Sequence, residues 1–406
     1  MATASSGFQP LTDVRIVDLS TVLAGPYATY QLALLGADVI KIESPDLGDW
    51  ARRGGADTEL DNASMGLAFL TQNANKQSIT LDLKQREALE IAGKLIERAD
   101  VFVENFRPGT AARLKLDVDS VRALNPDIVY CSISAYGQDG PISNRPAYDH
   151  VVQGMSGIMS TTGTLESGPT KVGAPYVDYA TGLNAAFSIL SALYESKTTG
   201  RGVTIDVAML DTSMMLMSSL VTSHLSSGWT PEPSGNAAWS NSPSSGAFET
   251  PDGMLMIAAN TEAQFQHLCQ ALGRDDILLD ERWAQPEVRM IHSEALRNVI
   301  AAELQSNTAL VWESIFEQWN VPASRVRTLP EVVAEPQFAQ RGQWPEMDLE
   351  SPTRTVRLPA VGFKVDGQVI GPTQAPPQLG QDTNAVLESL GYELEEISTL
   401  RERGVV

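Results

Sequence analysis

The sequence predicts an α/β protein in which a large domain with a parallel β-sheet is joined to a smaller α+β domain. Strand-like runs of β-branched residues alternate with helix-like patterns through the first half of the chain. A segment rich in Ser, Pro, Gly and Asn, Ser226–Gly246, then interrupts the pattern, and a hairpin signal follows it. Strands that alternate with helices form parallel sheets covered by helices on both faces. A chain of 406 residues is long enough for two domains.

Four strands are predicted in the first half, and each is a short run rich in Val and Ile. They are Val14–Asp18, Asp38–Glu43, Asp100–Glu104 and Asp127–Ser134. Helical patterns predict helices that end near Leu35 and cover Gln85–Arg98, Ala111–Leu124 and about 180–196. The Met-rich stretch Met209–Leu220 is interpreted as a buried helix, because polar residues interrupt it too often for a membrane span.

The second half predicts the smaller domain and a return to the larger one. Pro251–Gly253 lies between two apolar runs and is typical of a hairpin turn, and helices are predicted at about 261–272 and 293–319. Pro330–Pro377 shows little periodicity, and the last predicted helix, Thr383–Leu390, has too little chain around it to fold alone. We therefore predict a Rossmann-like large domain at 1–200 and 380–406, a connecting helix at 201–224, a small domain at 225–330 and a return linker at 331–379.

Composition argues against several classes of function. The chain has 50 acidic and 29 basic residues and a formal charge of −21, which repels nucleic acids and anionic membrane surfaces, so neither is expected as a partner. Cys131, Cys269 and four scattered histidines show no metal-ligand spacing, so we expect no metal site. The first residues lack a signal-peptide pattern, and no apolar run reaches the roughly 18 residues of a membrane helix. We therefore expect a cytoplasmic protein.

Ligand binding is expected at the carboxyl ends of the predicted strands, where open parallel sheets bind their ligands. The first of these ends has Gly25 followed by Pro26 and no Gly-x-Gly-x-x-Gly, which argues against a dinucleotide-binding enzyme. The chain also lacks the motifs of P-loop NTPases and α/β-hydrolases. The segments at the strand ends are Asp18–Pro26, Glu43–Asp49, Asn105–Arg113 and Ser134–Pro141.

Asp178 stands just before the helix predicted at about 180–196, and the pattern leaves two interpretations open. It is either the N-cap of that helix, worth about 1 kcal/mol, or a catalytic carboxylate. In the second interpretation the helix dipole keeps the carboxylate ionised and ready to attack a carbonyl.

Several long motifs follow one another in the first half of the chain: Ile16–Pro26, Leu35–Glu43, Asn73–Lys84, Asp100–Gly109, Ser134–Pro141 and Gly182–Gly202. Together they resemble the class III CoA-transferases, also called the CaiB/BaiF family, which includes formyl-CoA transferase. The resemblance is dense in the first half of the chain and loose in the rest.

The resemblance implies that Asp178 is a covalent nucleophile, since it occupies the aspartate of the family motif Gly-x-Pro-x-x-Asp-x-x-Thr-Gly. In this chemistry the carboxylate attacks an acyl-CoA and forms an aspartyl-acyl anhydride and free CoA. The CoA then forms an aspartyl-CoA thioester, and an acceptor acid reverses the sequence. The substrate is a CoA thioester, and no permanently bound cofactor is implied.

The resemblance also implies CoA contacts on segments that follow the predicted strands. Lys84, Arg107 and Arg113 are the cations expected near the CoA phosphates. The implied contacts are Leu23, Ala24, Leu81, Asp82, Leu83, Lys84, Asn105, Phe106, Arg107, Arg113, Pro146, Ala147, Tyr148 and Asp149.

Departures from formyl-CoA transferase bear on the substrate. Leu23 and Ser44 stand where that enzyme has a glutamine and an arginine, and Ser226–Gly246 replaces its glycine-run loop. We therefore expect a larger acid than formate or oxalate, and the spread of the family favours a small dicarboxylic acid.

Two other functions stay open. One is an α-methylacyl-CoA racemase-like enzyme, although Tyr148 replaces the catalytic histidine and tyrosine is a poor proton acceptor at neutral pH. The other is a non-catalytic acyl-CoA-binding protein.

The resemblance also implies an intertwined homodimer, since family members thread two ring-like chains through each other. Ser226–Gly246 and Pro330–Pro377 would then be the long connectors between the domains.

Overall fold

A six-stranded parallel sheet organises the larger part of the chain, and the computed structural model describes residues 7–238 and 240–406. The strand order is β3-β2-β1-β4-β5-β6, and every neighbouring pair is parallel. This is the doubly wound order, in which the direction of winding reverses between β1 and β4. The prediction of an α/β fold with a parallel sheet is confirmed. The strands are β1 (Arg15–Asp18), β2 (Asp38–Glu43), β3 (Lys76–Thr80), β4 (Val101–Glu104), β5 (Val129–Ser134) and β6 (Thr204–Ala208).

Helices cover both faces of this sheet. Successive residues of a strand point to opposite faces, so Ile16 packs in the cluster that contains residues of α1 and α8, and Val17 packs in the cluster that contains residues of α4. Both faces are therefore apolar, which explains the nearly continuous apolar runs of the central strands. The helices are α1 (Ala24–Leu34), α2 (Thr58–Asn62), α3 (Leu67–Leu70), α4 (Arg86–Ile96), α5 (Thr110–Arg113), α6 (Val118–Leu124), α7 (Asp149–Ser156), α8 (Tyr176–Thr199), α9 (Met209–Leu216) and α10 (Ser218–Ser227), with 3₁₀ turns at Trp50–Arg53 and Ile158–Thr161.

The two edge strands, β3 and β6, were not predicted. The buried positions of β3 include Lys76 and Ser78, which are polar, so the strand lacks an apolar run. The first three residues of β6 are partly or fully exposed, as is common where a strand pairs on one side only. Because β6 lies inside 201–224, the prediction of a connecting helix is wrong for 204–208.

Two predicted helices of the larger part are also divided. Ala111–Leu124 is α5 and α6, and Asp117 caps α6 by accepting a hydrogen bond from the Ser120 amide. Met209–Leu220 spans α9 and the start of α10. The interpretation of this stretch as a buried helix is wrong in part, because the side chain of Met215 is exposed.

A second compact unit contains residues 159–170 and 230–338 and has its own apolar core around Phe265, Trp312 and Phe316. The hairpin predicted at Pro251–Gly253 is present, with Thr250 paired to Gly253. The helix predicted at 293–319 is two helices. The elements are the antiparallel strands β7 (Ser245–Thr250), β8 (Gly253–Ala258) and β9 (Ala323–Arg325), and helices α11 (Glu262–Ala271), α12 (Asp276–Leu279), α13 (Pro286–Ile291), α14 (Ser293–Leu304), α15 (Ala309–Gln318) and α16 (Leu329–Ala334).

The last part of the chain, 339–406, belongs to the same compact unit as the six-stranded sheet. Leu387 and Leu400, from its last two helices, lie in the cluster that contains Val17. The segment predicted as a linker holds two hairpins, and the last helix was not predicted. Helix α17 (Pro336–Arg341) crosses the boundary at 338, and the later elements are β10 (Glu346–Leu349), β11 (Arg354–Arg357), β12 (Lys364–Val365), β13 (Gln368–Val369), α18 (Thr383–Ser389) and α19 (Leu394–Glu402). Within the described ranges, no helix is both long and apolar enough to cross a membrane.

Candidate active site

A cleft of about 270 Å³ opens at the carboxyl ends of β1, β4 and β5. This is the place where the winding of the sheet reverses, and where ligands of open α/β sheets bind. The loop between β1 and α1, the segment after β4, the segment before α7, and single residues of α8 and α9 surround it. The lining residues are Thr21, Val22, Leu23, Ala24, Asn105, Phe106, Arg107, Pro108, Ile133, Ser134, Ala135, Ser143, Arg145, Pro146, Ala147, Tyr148, Asp178 and Met209.

Asp178 lies in the first turn of α8 and lines this cleft. The helix begins at Tyr176, earlier than the apolar pattern indicates, and its N-cap position is Pro175. The interpretation of Asp178 as the N-cap is therefore wrong. Among the described residues, no donor forms a hydrogen bond with its carboxylate, which leaves both oxygens available to a ligand in the cleft.

Asp149 holds the beginning of α8. Its Oδ2 accepts hydrogen bonds from the amides of Val177 at 2.8 Å and Asp178 at 3.1 Å, while Oδ1 accepts one from Gln153 Nε2 at 2.5 Å. The residue is buried and is absent from the lining of the cleft. In this structure its carboxylate fixes the helix that carries Asp178, and its role as a CoA contact stays a prediction.

The electrostatics of Asp178 differ from the expectation that the helix dipole keeps it ionised. Burial, together with the nearby charge of Asp149, raises the pKa of Asp178 to about 7. Desolvation disfavours the charged form of a carboxyl group, and here it outweighs the favourable helix end. The carboxyl group is therefore half-ionised near neutral pH, which suits a nucleophile or a base.

For a reaction in which the ionised carboxyl group of Asp178 takes part, we expect kcat/KM to rise with pH up to about 7 and then level off. Asp149→Asn removes a like charge but keeps an oxygen acceptor for the two amides. Its pH profile should therefore have a lower midpoint than that of the wild type. A pH series of kcat/KM on both proteins measures this, and identical midpoints would contradict the electrostatic role of Asp149.

A second cleft, of about 330 Å³, adjoins the first at Thr21 and Phe106 and holds the predicted CoA residues Leu81–Lys84. The structure thus distributes the predicted contacts over two neighbouring clefts. Arg113 lines neither of them. Its Nη2 donates to Thr110 Oγ1 at 2.8 Å, and its side chain is exposed.

Sequence reasoning missed Ile133, Ser143, Arg145 and Met209 of the first cleft. Arg145 stands next to the predicted Pro146, which was the available signal. In the part of the chain that the structure describes, the cations that line the two clefts are Arg107, Arg145 and Lys84. Their charged groups have no hydrogen-bond or ion-pair partner there, so they are available to anionic groups of a ligand.

Comparison with known proteins agrees with the resemblance found in the sequence motifs. The family model of CoA-transferase family III matches residues 11–383. A succinate–glutarate CoA-transferase from Agrobacterium fabrum is 36% identical over 388 residues, which cover 94% of this chain and 96% of the relative. Human succinyl-CoA:glutarate CoA-transferase is 32% identical over 403 residues, which cover 99% of this chain and 91% of the relative.

The fold agrees with a solved structure as well. The crystal structure of a CaiB/BaiF family protein from Brucella suis superimposes with a TM-score of 0.83 at 32% identity, over 94% of this chain and 99% of the other. The resemblance identified from the sequence motifs is confirmed. The chain is a CoA-transferase and belongs to CoA-transferase family III.

Proposed function

We propose that this enzyme transfers CoA from an acyl-CoA thioester to a small dicarboxylic acid, with Asp178 as the covalent nucleophile. The carboxylate of Asp178, unpartnered among the described residues and facing the cleft, is the observation that carries the proposal. The relatives support the substrate class, since their names specify succinate, glutarate, citramalate and mesaconate.

The reaction then consists of successive acyl substitutions at two carbonyl carbons, that of the thioester and that of the Asp178 side chain. The Asp178 carboxylate attacks the thioester carbonyl, the C–S bond breaks, and an aspartyl-acyl anhydride and CoA thiolate form. The thiolate attacks the aspartyl carbonyl and releases the first acid, leaving an aspartyl-CoA thioester. The acceptor carboxylate attacks this thioester, and the same two steps run in reverse. The first step needs a carboxylate that is ionised near neutral pH, and the pKa of Asp178 at about 7 meets that need.

The two adjoining clefts divide the substrate between them in this proposal. The acyl group and the thioester lie in the first cleft beside Asp178. The CoA chain passes Thr21 and Phe106, which line both clefts, toward Lys84 in the second. Arg107 lies on the same path, so Lys84 and Arg107 receive the phosphate groups.

Arg145 is the cation left for the second carboxylate of the acid. It lines the cleft of Asp178 and has no partner for its guanidinium in the described ranges. An arginine can bind a carboxylate through two parallel hydrogen bonds, and this geometry favours a dicarboxylate over a monocarboxylate of the same size.

Arg145→Gln should raise the KM for succinate or glutarate by about ten- to a hundredfold, the loss expected for one charge-assisted hydrogen-bonded contact. The KM for a monocarboxylate such as butyrate, and for an acyl-CoA without a second carboxylate such as butyryl-CoA, should stay the same. Arg107→Gln is the matched control and should raise the KM for the acyl-CoA instead. The measurement is steady-state kinetics with a panel of acids, read by chromatography of the CoA esters. Equal losses with both kinds of acid would contradict the role of Arg145.

No observation favours the two alternative functions. A racemase needs a proton acceptor in the position that Tyr148 occupies, and the next histidine, His150, lines neither cleft. A non-catalytic acyl-CoA-binding protein has no use for a half-buried, unpartnered carboxylate, because such a group lowers stability.

We also propose that the chain forms an intertwined homodimer. Leu183, Phe187 and Tyr194 are exposed on α8 at spacings of four and seven residues, which place them on one side of the helix. An exposed apolar stripe of this kind is typical of an association surface. We expect light scattering to give twice the chain mass of 43.8 kDa, and Phe187→Glu to shift the population toward the monomer. A wild-type mass of one chain would contradict the proposal.

A further inference from the structure

The loop that joins β1 to α1 has an unusual set of backbone partners. The Ser20 amide donates to Asp18 Oδ1 at 2.9 Å, and the Ser20 carbonyl accepts from Lys41 Nζ at 2.7 Å. The Thr21 amide donates to Asn105 Oδ1 at 2.9 Å, and the Thr21 carbonyl accepts from Asn105 Nδ2 at 2.7 Å. Side chains from other parts of the sheet thus hold this backbone, so its shape does not depend on the loop alone.

Val22, the next residue, is held in a strained conformation. Its φ is 74°, in the left-handed region that β-branched residues rarely adopt. The Val22 amide donates to Asp49 Oδ1 at 3.0 Å, and the Val22 carbonyl accepts a hydrogen bond from Gln72 Nε2. Strain of this kind persists only where the surroundings impose it, and it concentrates at functional sites.

Asp49 is well suited to impose this conformation because buried partners hold its carboxylate and its backbone in place. Its carboxylate is fully buried and forms an ion pair of 3.0 Å with Lys41, which is also fully buried. Its own amide donates to Glu43 Oε2 at 2.9 Å. Lys41 in turn binds the Ser20 carbonyl at the other end of the loop. The pair therefore fixes both ends of the segment Ser20–Val22.

The position of this segment decides what faces Asp178. Val22, Leu23 and Ala24 line the cleft together with Asp178. The start of α1 also packs closely on α8, since a Cβ added at Gly182 would lie 2.7 Å from the Ala24 carbonyl oxygen. Glycine alone fits at that contact, so α1 and α8 lie close together there. Because Asp178 is in the first turn of α8, a displacement of the loop would change the distance between the loop and Asp178.

We propose that Asp49 is a positioning residue of the transfer reaction: through its hydrogen bond to the Val22 amide it places the β1–α1 loop against the thioester that Asp178 attacks. This inference rests on the proposed function. Misplacement of a reacting group by about 1 Å can lower a rate by about 10²-fold, so we expect the effect on the chemical step. Asp49 also lines the second cleft, so the dissociation constant of the acyl-CoA is measured separately from the rate constant.

The test compares Asp49→Ala with Asp49→Asn in single-turnover experiments with acyl-CoA. Both variants remove the charge that faces Lys41, so the urea midpoint of unfolding should fall in both. Only Asn keeps an oxygen that can accept from the Val22 amide. The rate constant for aspartyl-CoA formation should therefore fall about 10²-fold in Asp49→Ala and stay near the wild-type value in Asp49→Asn. The amplitude reports the folded, competent fraction separately from the rate constant.

Asp382→Ala is the matched control, since Asp382 accepts a hydrogen bond from the Ser78 amide at 2.8 Å in the same compact unit but lines neither cleft. It should lower stability and leave the rate constant unchanged. A wild-type rate constant in Asp49→Ala, or equal losses in the Ala and Asn variants, would overturn the inference. If the wild type formed no aspartyl-CoA, the proposed function would fail and this inference with it.

A second measurement uses Val22→Gly. Glycine adopts a positive φ without a steric penalty, so the loop then has less tendency to leave the left-handed conformation when Asp49 is removed. In the Val22→Gly background, Asp49→Ala should lower the rate constant by a smaller factor than in the wild type. The same factor in both backgrounds would contradict the proposed hold on Val22.

Discussion

Asp178→Asn is expected to lower the transfer rate by about 10³-fold or more, because an amide cannot form the aspartyl anhydride or the aspartyl thioester. Asp178→Ala should be equally inactive. In the wild type, incubation with acyl-CoA alone should leave CoA attached to Asp178. Borohydride reduces that thioester to an alcohol, so peptide mass spectrometry should show a mass shift within Val172–Gly182, and none in either variant.

The stability of Asp178→Asn provides the control for this experiment. The pKa of Asp178 is raised from 3.8 to about 7, so the folded state binds the proton more tightly than the unfolded state. The stability of the wild type therefore falls as pH rises from about 4 to 7 and stays low above that. Asparagine has no charge to desolvate, so Asp178→Asn should be more stable than the wild type at pH 8, by on the order of 4 kcal/mol.

The direction of this stability change in Asp178→Asn distinguishes a catalytic role of Asp178 from a structural one. A residue that stabilised α8 would leave the Asn variant active and no more stable than the wild type. An inactive variant with a higher unfolding midpoint at pH 8 fits only a carboxylate kept in the cleft at the expense of stability. Near-normal turnover in Asp178→Asn would refute the proposed mechanism.

Arg52→Met is expected to lower the free energy of unfolding by about 3–5 kcal/mol, the usual cost of leaving a buried charge without its partner. Arg52 is fully buried, and its Nε and Nη2 each lie 2.7 Å from an oxygen of the Glu43 carboxylate. Its guanidinium also packs over the ring of Phe69, 3.7 Å from the centroid. Removal leaves the Glu43 carboxylate buried without a cation at that distance.

Arg86→Met is the matched control, because Arg86 forms an exposed i,i+4 pair with Glu90 at 2.8 Å. Pairs of this kind contribute about 0.5 kcal/mol or less. Urea unfolding of both variants, followed by circular dichroism, measures the difference. Equal losses in the two variants would show that the Arg52–Glu43 pair does not stabilise the larger unit.

Much of the fold is encoded in local pattern. The strands β1, β2, β4 and β5 are central and apolar, so their local residue pattern is sufficient to predict them. The edge strand β3 is different. The ammonium group of its buried Lys76 lies 3.1 Å from Asp18, 58 residues away, and also donates to the Pro26 carbonyl and to Thr29. No local pattern distinguishes such a lysine from a solvated one.

The candidate site divides in the same way. The position of Asp178 in its motif, and its neighbours after β1 and β4, were predicted from the sequence and lie together in the structure. The partner that holds Asp178, by contrast, is Asp149, which is 29 residues away and was assigned to CoA. Arg145 was not predicted and lines the first cleft, whereas Arg113 was predicted and lines neither cleft.

The sequence by itself thus determined the order of the central strands along the chain, the two-part composition and the position of Asp178 in its motif. Each of these depends on residue types at short spacing. The tertiary structure alone decided that α8 begins before Asp178, that the pKa of Asp178 lies at about 7, and that Val22 adopts a φ of 74°. The physical reason is that desolvation, ion pairing and imposed backbone strain depend on groups brought together from distant parts of the chain. The spacing of residues within one segment therefore does not predict them.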